Sequence, residues 1–367
     1  MKHGIAGLAP AVLIALTAVT AVATPGDRVD REEKRTVAAA DKKELSVKNP
    51  RGRTVVVGKD GLREVTIVIT RSARGRDAED AARLLDDLEV EIEERGDRVQ
   101  VETHDDGSRN RGIWSYVKGD HRSAWVDYTI EVPRGFHVTA STTSGEVRVS
   151  NIEGNAVVAA TSGDIDIRAI GGDAEIAVTS GNVDAVEIGG DVELSATSGD
   201  VNVDKVGGKL ELEGTSGDFQ VTRVAGNVTA QLSSGDFVLE GCSGNVSFDT
   251  ASGDGRMIEV TGSIEASTSS GDIEVLIMPT ADRVFDLSSS SGDIRVYYVP
   301  VKNFGFQLDV KTANGSIEGD LPIKVSRVDR RRLQGVVGSG AARVEIETAS
   351  GDVTIVEQGE SASKSGR

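Results

Sequence analysis

Residues 161–178 read TSGDIDIRAIGGDAEIAV, and residues 179–196 follow the same pattern as TSGNVDAVEIGGDVELSA. A Ser-Gly pair recurs through seven consecutive intervals of 18 residues, and a second glycine stands nine residues after each of the first seven pairs. The glycines of these pairs are Gly145, Gly163, Gly181, Gly199, Gly217, Gly235, Gly253 and Gly271. A fixed period of this length, divided into two equal halves, is typical of a solenoid protein.

Apolar residues fall into columns when the copies are aligned on the Ser-Gly glycine. In one copy they are Val201, Val203 and Val206 in the first half, then Leu210 and Leu212 in the second. Apolar and polar residues that alternate over short runs bounded by glycine are typical of half-buried β-strands. The alternation breaks between the second and third apolar residues, which predicts a corner at that point.

The turns and the core follow from these columns. We expect glycine to open each turn because it tolerates positive φ without steric cost, and the Asp or Asn that follows it to bond local backbone amides. Two small residues at core positions, Ala185 and Gly255, are expected to thin the core. The sequence therefore predicts an all-β fold, a single-stranded parallel β-helix (β-solenoid). Its 18-residue coils stack about 4.8 Å apart, and a small α+β capping region precedes them.

The first 23 residues have the pattern of a signal peptide. Lys2 gives a positive start, an apolar run follows, and Ala21-Val22-Ala23 matches the small-x-small rule for cleavage. The alternative is an uncleaved membrane anchor, but Pro10 and the Ala-Val-Ala ending favour cleavage. We therefore expect an exported protein, located in the periplasm, on the cell surface or outside the cell, with no membrane span in the mature chain.

Composition divides the rest of the chain into four segments. Residues 24–43 are charged and aperiodic, which indicates a solvated linker. Residues 44–138 combine short strands with a helical stretch and are expected to cap the first repeat, while residues 139–357 form the β-solenoid domain. The small polar residues of 358–367 predict a disordered tail.

The repeat changes near its C-terminal end, where inserted segments are expected to form a cap. The period stretches to 21 residues at Gly292, to 23 at Gly315 and to 36 at Gly351. The chain then closes with the signature of the repeat itself, Ser350-Gly351-Asp352-Val353.

The chain is acidic and contains a single cysteine. Its formal charge is −18, and loss of Lys2 with the signal peptide makes the mature chain more negative still. Such a protein is repelled by nucleic acid and by anionic lipid. One cysteine excludes an internal disulfide. Cys242 lies in a column otherwise filled by Ile and Val, so a buried, inert side chain is favoured over a reactive thiol.

The repeat resembles the bacterial DUF4097 family, a group of candidate adhesins with β-strand repeats. The resemblance is carried by the TSGDIDI run at 161–167 and its copies, by the YTIEVP lead-in at 128–133 and by the closing SGDV at 350–353. It covers most of residues 44–357. It implies an exported β-helical domain of the cell surface or envelope, and it supplies no catalytic residues.

The residues that follow the Ser-Gly glycines form an acidic column, which raises the question of calcium. The members proposed as a calcium ladder are Asp200, Asp218, Asp236, Asp254 and Asp272. Calcium takes several hard oxygen ligands, but the calcium-binding nonapeptide needs Gly-Gly-x-Gly-x-Asp, which is missing from this sequence. Solvated turn-capping is therefore the favoured interpretation.

Two further groups of residues suggest binding. Four aromatic residues cluster before the repeat, at Trp114, Tyr116, Trp125 and Tyr128. If exposed they would stack on sugar rings or anchor a protein partner, and if buried they would attach the cap to the first repeat. The run at 330–332 is Arg-Arg-Arg, which suits a phosphate or an acidic partner, although a solvated loop is the default interpretation.

The sequence offers little for catalysis. None of its four histidines lies within residues 145–271, and it has neither His-Glu-x-x-His nor Gly-x-Ser-x-Gly. The leading hypothesis is a non-enzymatic, exported platform that needs no cofactor and binds an envelope protein or glycan. The alternatives are a carbohydrate-active β-helix enzyme and a calcium-stabilised structural module.

Overall fold

The computed structural model describes residues 15–23, 28–105 and 122–358. The chain divides into two compact units, unit 1 at Met1–Asn155 and unit 2 at Ala156–Arg367. Within the described ranges it forms β-strands and one α-helix. No helix in those ranges combines the length and the apolar character needed to cross a membrane. Most of the predicted signal peptide and the tail at 359–367 lie outside the described residues.

Unit 1 is built from two groups of strands and a short helix. Its elements are β1 (Ala15–Ala23), β2 (Arg28–Ala38), β3 (Glu44–Arg51), β4 (Thr54–Lys59), β5 (Glu64–Arg74), α1 (Ala78–Asp86), β6 (Leu88–Arg95), β7 (Arg98–Asp105), β8 (Ser123–Pro133), β9 (His137–Ser144) and β10 (Val147–Ile152). One group has the order β1-β2-β5-β8-β4-β10 and the other β9-β3-β7-β6. Strand β4 is parallel to β8 and β10, and β3 is parallel to β7 and β9.

The repeat begins earlier than the predicted boundary at residue 139. We use the word rung for two strands joined by a glycine turn, and β3 and β4 form one around Gly52, whose φ is +111°. The Gly52 N–H donates to Ser144 O at 3.0 Å, and Thr54 pairs with Val147. The predicted cap region therefore contains a rung of its own, stacked in parallel on the rung of β9 and β10.

The predicted linker at 24–43 also differs from the structure, because residues Arg28–Ala38 form β2, antiparallel to β5. Val37 is buried in the core of unit 1. Glu33 accepts hydrogen bonds from Arg71 across the strand pair, at 2.9 Å, and from Arg35 on its own strand. The charged residues are thus paired along a strand, and the sequence pattern alone did not reveal their partners.

The helix and the hairpin that follow it agree with the sequence. Helix α1 is capped by Asp77, whose side chain accepts from the backbone N–H of Asp80 at 2.8 Å. It ends at Asp86, and Leu88 already belongs to β6. Strands β6 and β7 pair as an antiparallel hairpin.

Unit 2 contains the remaining strands. They are β11 (Ala156–Ser162), β12 (Ile165–Ile170), β13 (Ala174–Ser180), β14 (Val183–Ile188), β15 (Val192–Ser198), β16 (Val201–Val206), β17 (Leu210–Ser216), β18 (Phe219–Val224), β19 (Val228–Ser234), β20 (Phe237–Cys242), β21 (Val246–Ser252), β22 (Gly255–Val260), β23 (Ile264–Ser270), β24 (Ile273–Ile277), β25 (Val284–Ser291), β26 (Ile294–Tyr298), β27 (Phe306–Asn314), β28 (Ile317–Gly319), β29 (Ile323–Asp329), β30 (Arg332–Val337), β31 (Ala342–Ser350) and β32 (Val353–Glu357).

These strands form two long, mostly parallel sheets. Sheet A has the order β12-β14-β16-β18-β20-β22-β24-β26-β32-β28, and sheet B has the order β29-β30-β27-β31-β25-β23-β21-β19-β17-β15-β13-β11. Within the repeat, equivalent residues pair, such as Ile165 with Val183 in sheet A and Ala174 with Val192 in sheet B. The apolar columns predicted from the sequence are buried. The predicted all-β repeat fold is confirmed at this level.

The corner predicted within each repeat is made by a residue in the left-handed region. Six residues after the Ser-Gly glycine, φ lies between +54° and +61° in most copies, although the side chains there are not glycine. These residues are Asn151, Ala169, Glu187, Lys205, Arg223 and Glu259, and Gly241 takes the same place in a seventh copy at φ +82°. The second glycines, by contrast, lack the positive φ expected of them. A Cβ atom on Gly262 would lie 2.0 Å from Gly244 O, so close approach of the backbones is what requires glycine there.

Glycines inside the strands admit aromatic rings to the core. A Cβ atom on Gly255 would lie 2.5 Å from the ring of Phe248, and Phe248 stacks on Phe237 with ring centroids 5.0 Å apart. Likewise, a Cβ atom on Gly214 would lie 2.3 Å from Phe219 Cζ. Gly255 therefore makes room for a ring, which fills the space that the sequence led us to expect as a thin point in the core.

The last rung in the sequence is not the last rung in space. Strand β31 pairs in parallel with both β25 and β27, and β32 pairs with both β26 and β28. The turn at Gly351 accordingly lies between those at Gly292 and Gly315. Strands β30 and β29 then extend sheet B in antiparallel fashion. The predicted C-terminal cap thus consists of a hairpin beyond β27.

Candidate functional site

The acidic column forms a hydrogen-bonded ladder along the turns. Each side-chain Oδ1 accepts from the backbone N–H of the equivalent residue on the next rung. The distances are 2.9 Å for Asn182 N to Asp164, 3.0 Å for Asp200 N to Asn182, 2.9 Å for Asp254 N to Asp236 and 2.8 Å for Asp272 N to Asp254. Asn182 occupies one step, so the ladder needs an oxygen acceptor and no negative charge.

These hydrogen bonds join neighbouring rungs, whereas the sequence led us to expect local capping of each turn.

A second ladder, which sequence reasoning missed, follows the second glycines. Asp191 N donates to Asp173 Oδ1 at 2.9 Å, Lys209 N donates to Asp191 Oδ1 at 2.9 Å, and Asn245 N donates to Asn227 Oδ1 at 2.9 Å. The signal in the sequence was the Asp or Asn at that position in most copies.

The proposed calcium ladder, from Asp200 to Asp272, consists of members of the first column. Their Oδ1 atoms face backbone amides, and Asp272 also receives a hydrogen bond from Arg295 at 2.7 Å. Burial opposes ionisation of Asp272, but the Arg295 guanidinium and the Asp293 N–H outweigh it and lower the pKa of this carboxyl. Within the part of the chain that the structure describes, no three His, Cys, Asp or Glu side chains are grouped to hold a metal ion.

The aromatic candidates separate into different environments. Tyr128 is buried, its hydroxyl lies 2.5 Å from Thr103 Oγ1, and burial raises its pKa to about 12. It therefore belongs to the core of unit 1, which agrees with the buried alternative and not with an exposed binding residue. Trp125 is half-buried, and the Arg28 guanidinium lies 5.3 Å from its ring centroid, a cation–π contact. Trp114 and Tyr116 lie outside the described residues.

The outer face of sheet B carries a broad depression with a cavity volume of about 790 Å³, which we call the hydroxyl groove. It crosses β15, β17, β19 and β21. Its exposed polar lining consists of Ser195, Thr197, Glu213, Thr215, Gln231, Ser233, Ser247 and Asp249. Of the described residues that line the groove, none is His, Cys, Lys or Arg.

The centre of the groove is a column of three polar side chains on successive parallel strands. Glu213 pairs in register with Gln231, and Gln231 pairs with Asp249. Asp249 Oδ2 accepts a hydrogen bond from Ser267 at 2.7 Å. Parallel neighbours lie about 4.8 Å apart, so the column presents carboxylate, amide and carboxylate at even spacing. Sequence reasoning missed it because these residues differ in type from copy to copy.

A second groove, with a cavity volume of about 440 Å³, lies on the outer face of sheet A and is acidic. Its carboxylates already have partners within the chain. The Arg168 guanidinium bonds both Asp166 and Asp184, and Asn202 Nδ2 donates to Asp184 Oδ1 at 2.8 Å. The hydroxyl groove is therefore the more open of the two for a ligand that forms hydrogen bonds.

Comparison with known proteins places the chain in a family. The Toastrack DUF4097 family model matches residues 44–241 and again residues 205–356. Among solved structures, a candidate cell adhesion protein from Clostridium sporogenes is similar at 10% identity, with 90% of this chain and 100% of that chain covered and a TM-score of 0.26. A candidate adhesin from Bacteroides fragilis is similar at 12% identity, covering 89% and 97%, with a TM-score of 0.27.

A candidate lipid-binding protein from Parabacteroides distasonis is similar at 15% identity, covering 89% of this chain and 97% of that chain, with a TM-score of 0.33. None of the curated proteins matches the chain. The two family matches span most of the described residues, with the rung at Gly52, the repeats and the closing rung at Gly351 among them. The chain belongs to the Toastrack DUF4097 family.

Proposed function

We propose that this protein is an exported, non-enzymatic β-helix that binds a glycan of the cell envelope in the hydroxyl groove. The observation that carries the proposal is the lining of that groove, in which hydroxyl, amide and carboxylate groups recur at strand spacing on one exposed face. Hydroxyls and amides both donate and accept hydrogen bonds. A polyhydroxylated chain that crosses the strands would meet such groups on every rung.

The scaffold is a single-stranded parallel β-helix with 18-residue coils. The pairing of Ile165 with Val183, and of Val201 with Phe219, supports that repeat length. Export is supported by Lys2 and by the Ala-Val-Ala ending at residue 23. The protein would then act in the periplasm, at the cell surface or outside the cell.

The test is a binding titration with soluble peptidoglycan fragments and with a soluble glucan. We expect one of them to bind, and we expect Gln231→Ala to weaken binding at least about fivefold, because a lost hydrogen bond is worth about 1 kcal/mol. Gln220→Ala is the matched control, since Gln220 is exposed on the other sheet. Equal affinity for both variants and the wild type would remove the groove from the proposal, and no binding by the wild type would overturn it.

One observation favours the carbohydrate-active enzyme as a second candidate. Glu213 and Asp249 flank Gln231 in the groove, two strand spacings apart, about 10 Å between backbones. Inverting glycosidases hold their two carboxyls about 6.5–9.5 Å apart. Release of reducing ends by the wild type, and its loss in Glu213→Gln with binding retained, would identify an enzyme. Binding without release supports the platform.

A further inference from the structure

The structure of unit 2 ends in an open strand with exposed apolar side chains. Among the described strands, β29 pairs with β30 alone and leaves its other edge free. In register, Val325 continues the row of Leu308, and Val328 continues the row of Val310. Leu308 and Val310 are buried, but Val325 and Val328 are 50% and 69% exposed. The inner face of sheet B is therefore uncovered at this strand.

The opposite face and the turn of this hairpin are basic. Residues 323–332 contain five Lys or Arg residues and one acidic residue. Lys324, Arg327 and Arg330 are exposed. Arg327 lies 3.3 Å from Asp329 on its own strand, and Arg332 is held by Asp309 at 2.7 Å. In a chain with a net charge of −18, this strand is a local concentration of positive charge.

Unit 1 also has an open strand, and its charge is of the opposite sign. Strand β6 pairs with β7 alone among the described strands. Val90 and Ile92 lie on its inner side, and Glu89, Glu91 and Glu93 alternate with them on the other. Residues 88–95 contain four glutamates and one arginine.

Like charges are crowded along this edge. The hydrogen bond from Glu91 to Glu93, and the repulsion between the two carboxylates, raise the pKa of Glu91 above its ordinary value. Arg95 bonds Glu93 at 2.7 Å and relieves part of the crowding from its own strand. A basic strand placed alongside would relieve the rest.

We propose that β29 of one copy pairs with β6 of a second copy, so that this protein assembles head to tail. Open sheet edges are templates for pairing with another chain. On the inner face of the sheet, the apolar side chains of the two strands would become neighbours, with Val325 and Val328 next to Val90 and Ile92. The outer rows would join basic to acidic, with Lys324 and Arg327 next to the glutamates of β6.

Charge selects this pairing over the self-complementary one. Two β29 strands, or two β6 strands, would bring like charges face to face. A contact between two different edges uses β29 of one copy and β6 of the other, so the pair still has one free β6 and one free β29 at which the contact repeats, as a ring or as an open chain. Such an assembly would multiply any binding site carried by each copy. The pairing itself is independent of what the hydroxyl groove binds.

The experiment measures the molar mass of the full chain, purified after export, over a concentration series at low and at high salt. We expect the molar mass to rise above that of the monomer as the concentration increases and to fall as salt is added, because salt screens the exposed charged rows. The acidic edge is reversed in Glu89→Lys/Glu91→Lys, and the basic edge in Lys324→Glu/Arg327→Glu. We expect each variant alone to associate at least tenfold more weakly than the wild type.

Mixing the two variants gives the decisive result. Each reversed edge then meets an edge of opposite charge on the other variant, so the equimolar mixture should regain the mass of the wild type. Glu175→Lys/Glu193→Lys is the matched control, because both side chains are exposed on strands inside sheet B, and it should assemble like the wild type.

Three results would overturn the proposal. The first is a wild type that stays monomeric up to its solubility limit. The second is an acidic-edge variant that still dimerises, which would indicate pairing of β29 with β29. The third is a mixture that stays monomeric although both variants melt like the wild type.

Discussion

Single atoms decide how closely neighbouring rungs stack. At Gly199 φ is +124°, and a Cβ atom would lie 2.1 Å from Gly181 O. Two independent constraints therefore require glycine at this position: its backbone conformation, and the close carbonyl group of the preceding rung. Gly241 has φ +82°, but the nearest atom to its Cβ position is 3.7 Å away. Conformation alone favours glycine there.

These two positions make a matched pair for mutation. We expect Gly199→Val to lower the free energy of unfolding by well over about 1 kcal/mol, because it adds a backbone clash to a strained φ. Gly241→Asn should change it by less than about 0.5 kcal/mol, since Asn tolerates the left-handed region and the site has room. Thermal melts measure both, and equal losses would contradict the close-contact argument.

The ladder of turn residues gives a second prediction. Asp236 Oδ1 accepts from the Asp254 N–H at 2.9 Å. We expect Asp236→Ala to cost about 1 kcal/mol, because that N–H loses its acceptor. Asp236→Asn keeps an acceptor oxygen, as Asn182 does in the same column, and should melt within a few tenths of the wild type. An Asn variant as unstable as the Ala variant would mean that charge holds the column.

Residue patterns predicted part of the fold and of the candidate site, and there are physical reasons for what they did not predict. Tyr128 alternates with Val126 and Ile130, which are both buried, so strand periodicity supports the buried alternative for this residue. The rung at Gly52 has Arg51 in place of the serine of the repeat, so it does not match the Ser-Gly motif. Gln231 varies between copies because side chains on the outer face are under no packing constraint.

Helix α1 is fastened by a charged contact at its first turn. Asp80 accepts from the backbone N–H of Arg76 at 3.0 Å and from the Arg76 guanidinium, and Arg122 lies at 3.4 Å. These hydrogen bonds, with the positive charges, hold the pKa of Asp80 well below its ordinary value of 3.8. Apolar residues at helical spacing, with acidic residues in the first turn, predicted the helix itself, but partners distant in sequence, such as Arg122, become visible only in the fold.

The lowered pKa fixes the sign of a pH effect. A carboxyl group whose pKa is lower in the folded protein than in the unfolded chain stabilises the fold fully at pH values above its ordinary pKa. That stabilisation is lost as the pH falls through the pKa of the folded state. We therefore expect Asp80→Asn to melt below the wild type at pH 7, and the difference to shrink as pH falls below about 4. Melting curves at both ends of that range test this. A constant difference would mean that packing, and not ionisation, explains the loss. Asp86→Asn, at the exposed end of the same helix, is the control.

At both ends of the repeat, rungs that are neighbours in space are separated in the chain by other strands. The rung of β3 and β4 pairs with β9 and β10, and the rung of β31 and β32 lies between two earlier ones. The sequence predicted the stack because every rung carries the same apolar columns. For that same reason it could not predict which rungs are neighbours, since equivalent columns fit one another equally well.

Stability of the stack is expected to be independent of calcium. The ladder oxygens accept hydrogen bonds from backbone amides, as Asp236 Oδ1 does from the Asp254 N–H. An ion that binds only the native state would raise the melting temperature by mass action. We therefore expect the same melting temperature in a chelator, in buffer and in millimolar calcium. A calcium-dependent rise would support the structural-module alternative, and magnesium at equal concentration controls for ionic strength.

The intercalated rung makes the C-terminal part of the stack depend on the end of the chain. A chain that ends at residue 341 loses β31 and β32, so β25 and β27 lose the strand that pairs with both. The apolar row of Phe285, now at an open edge, would be exposed to water. We expect this truncation to melt at lower temperature and to aggregate. A chain that ends at residue 358 keeps every described strand and should melt like the full chain. Equal stability of the two truncations would mean that β25 and β27 can pair directly and that the closing rung is dispensable.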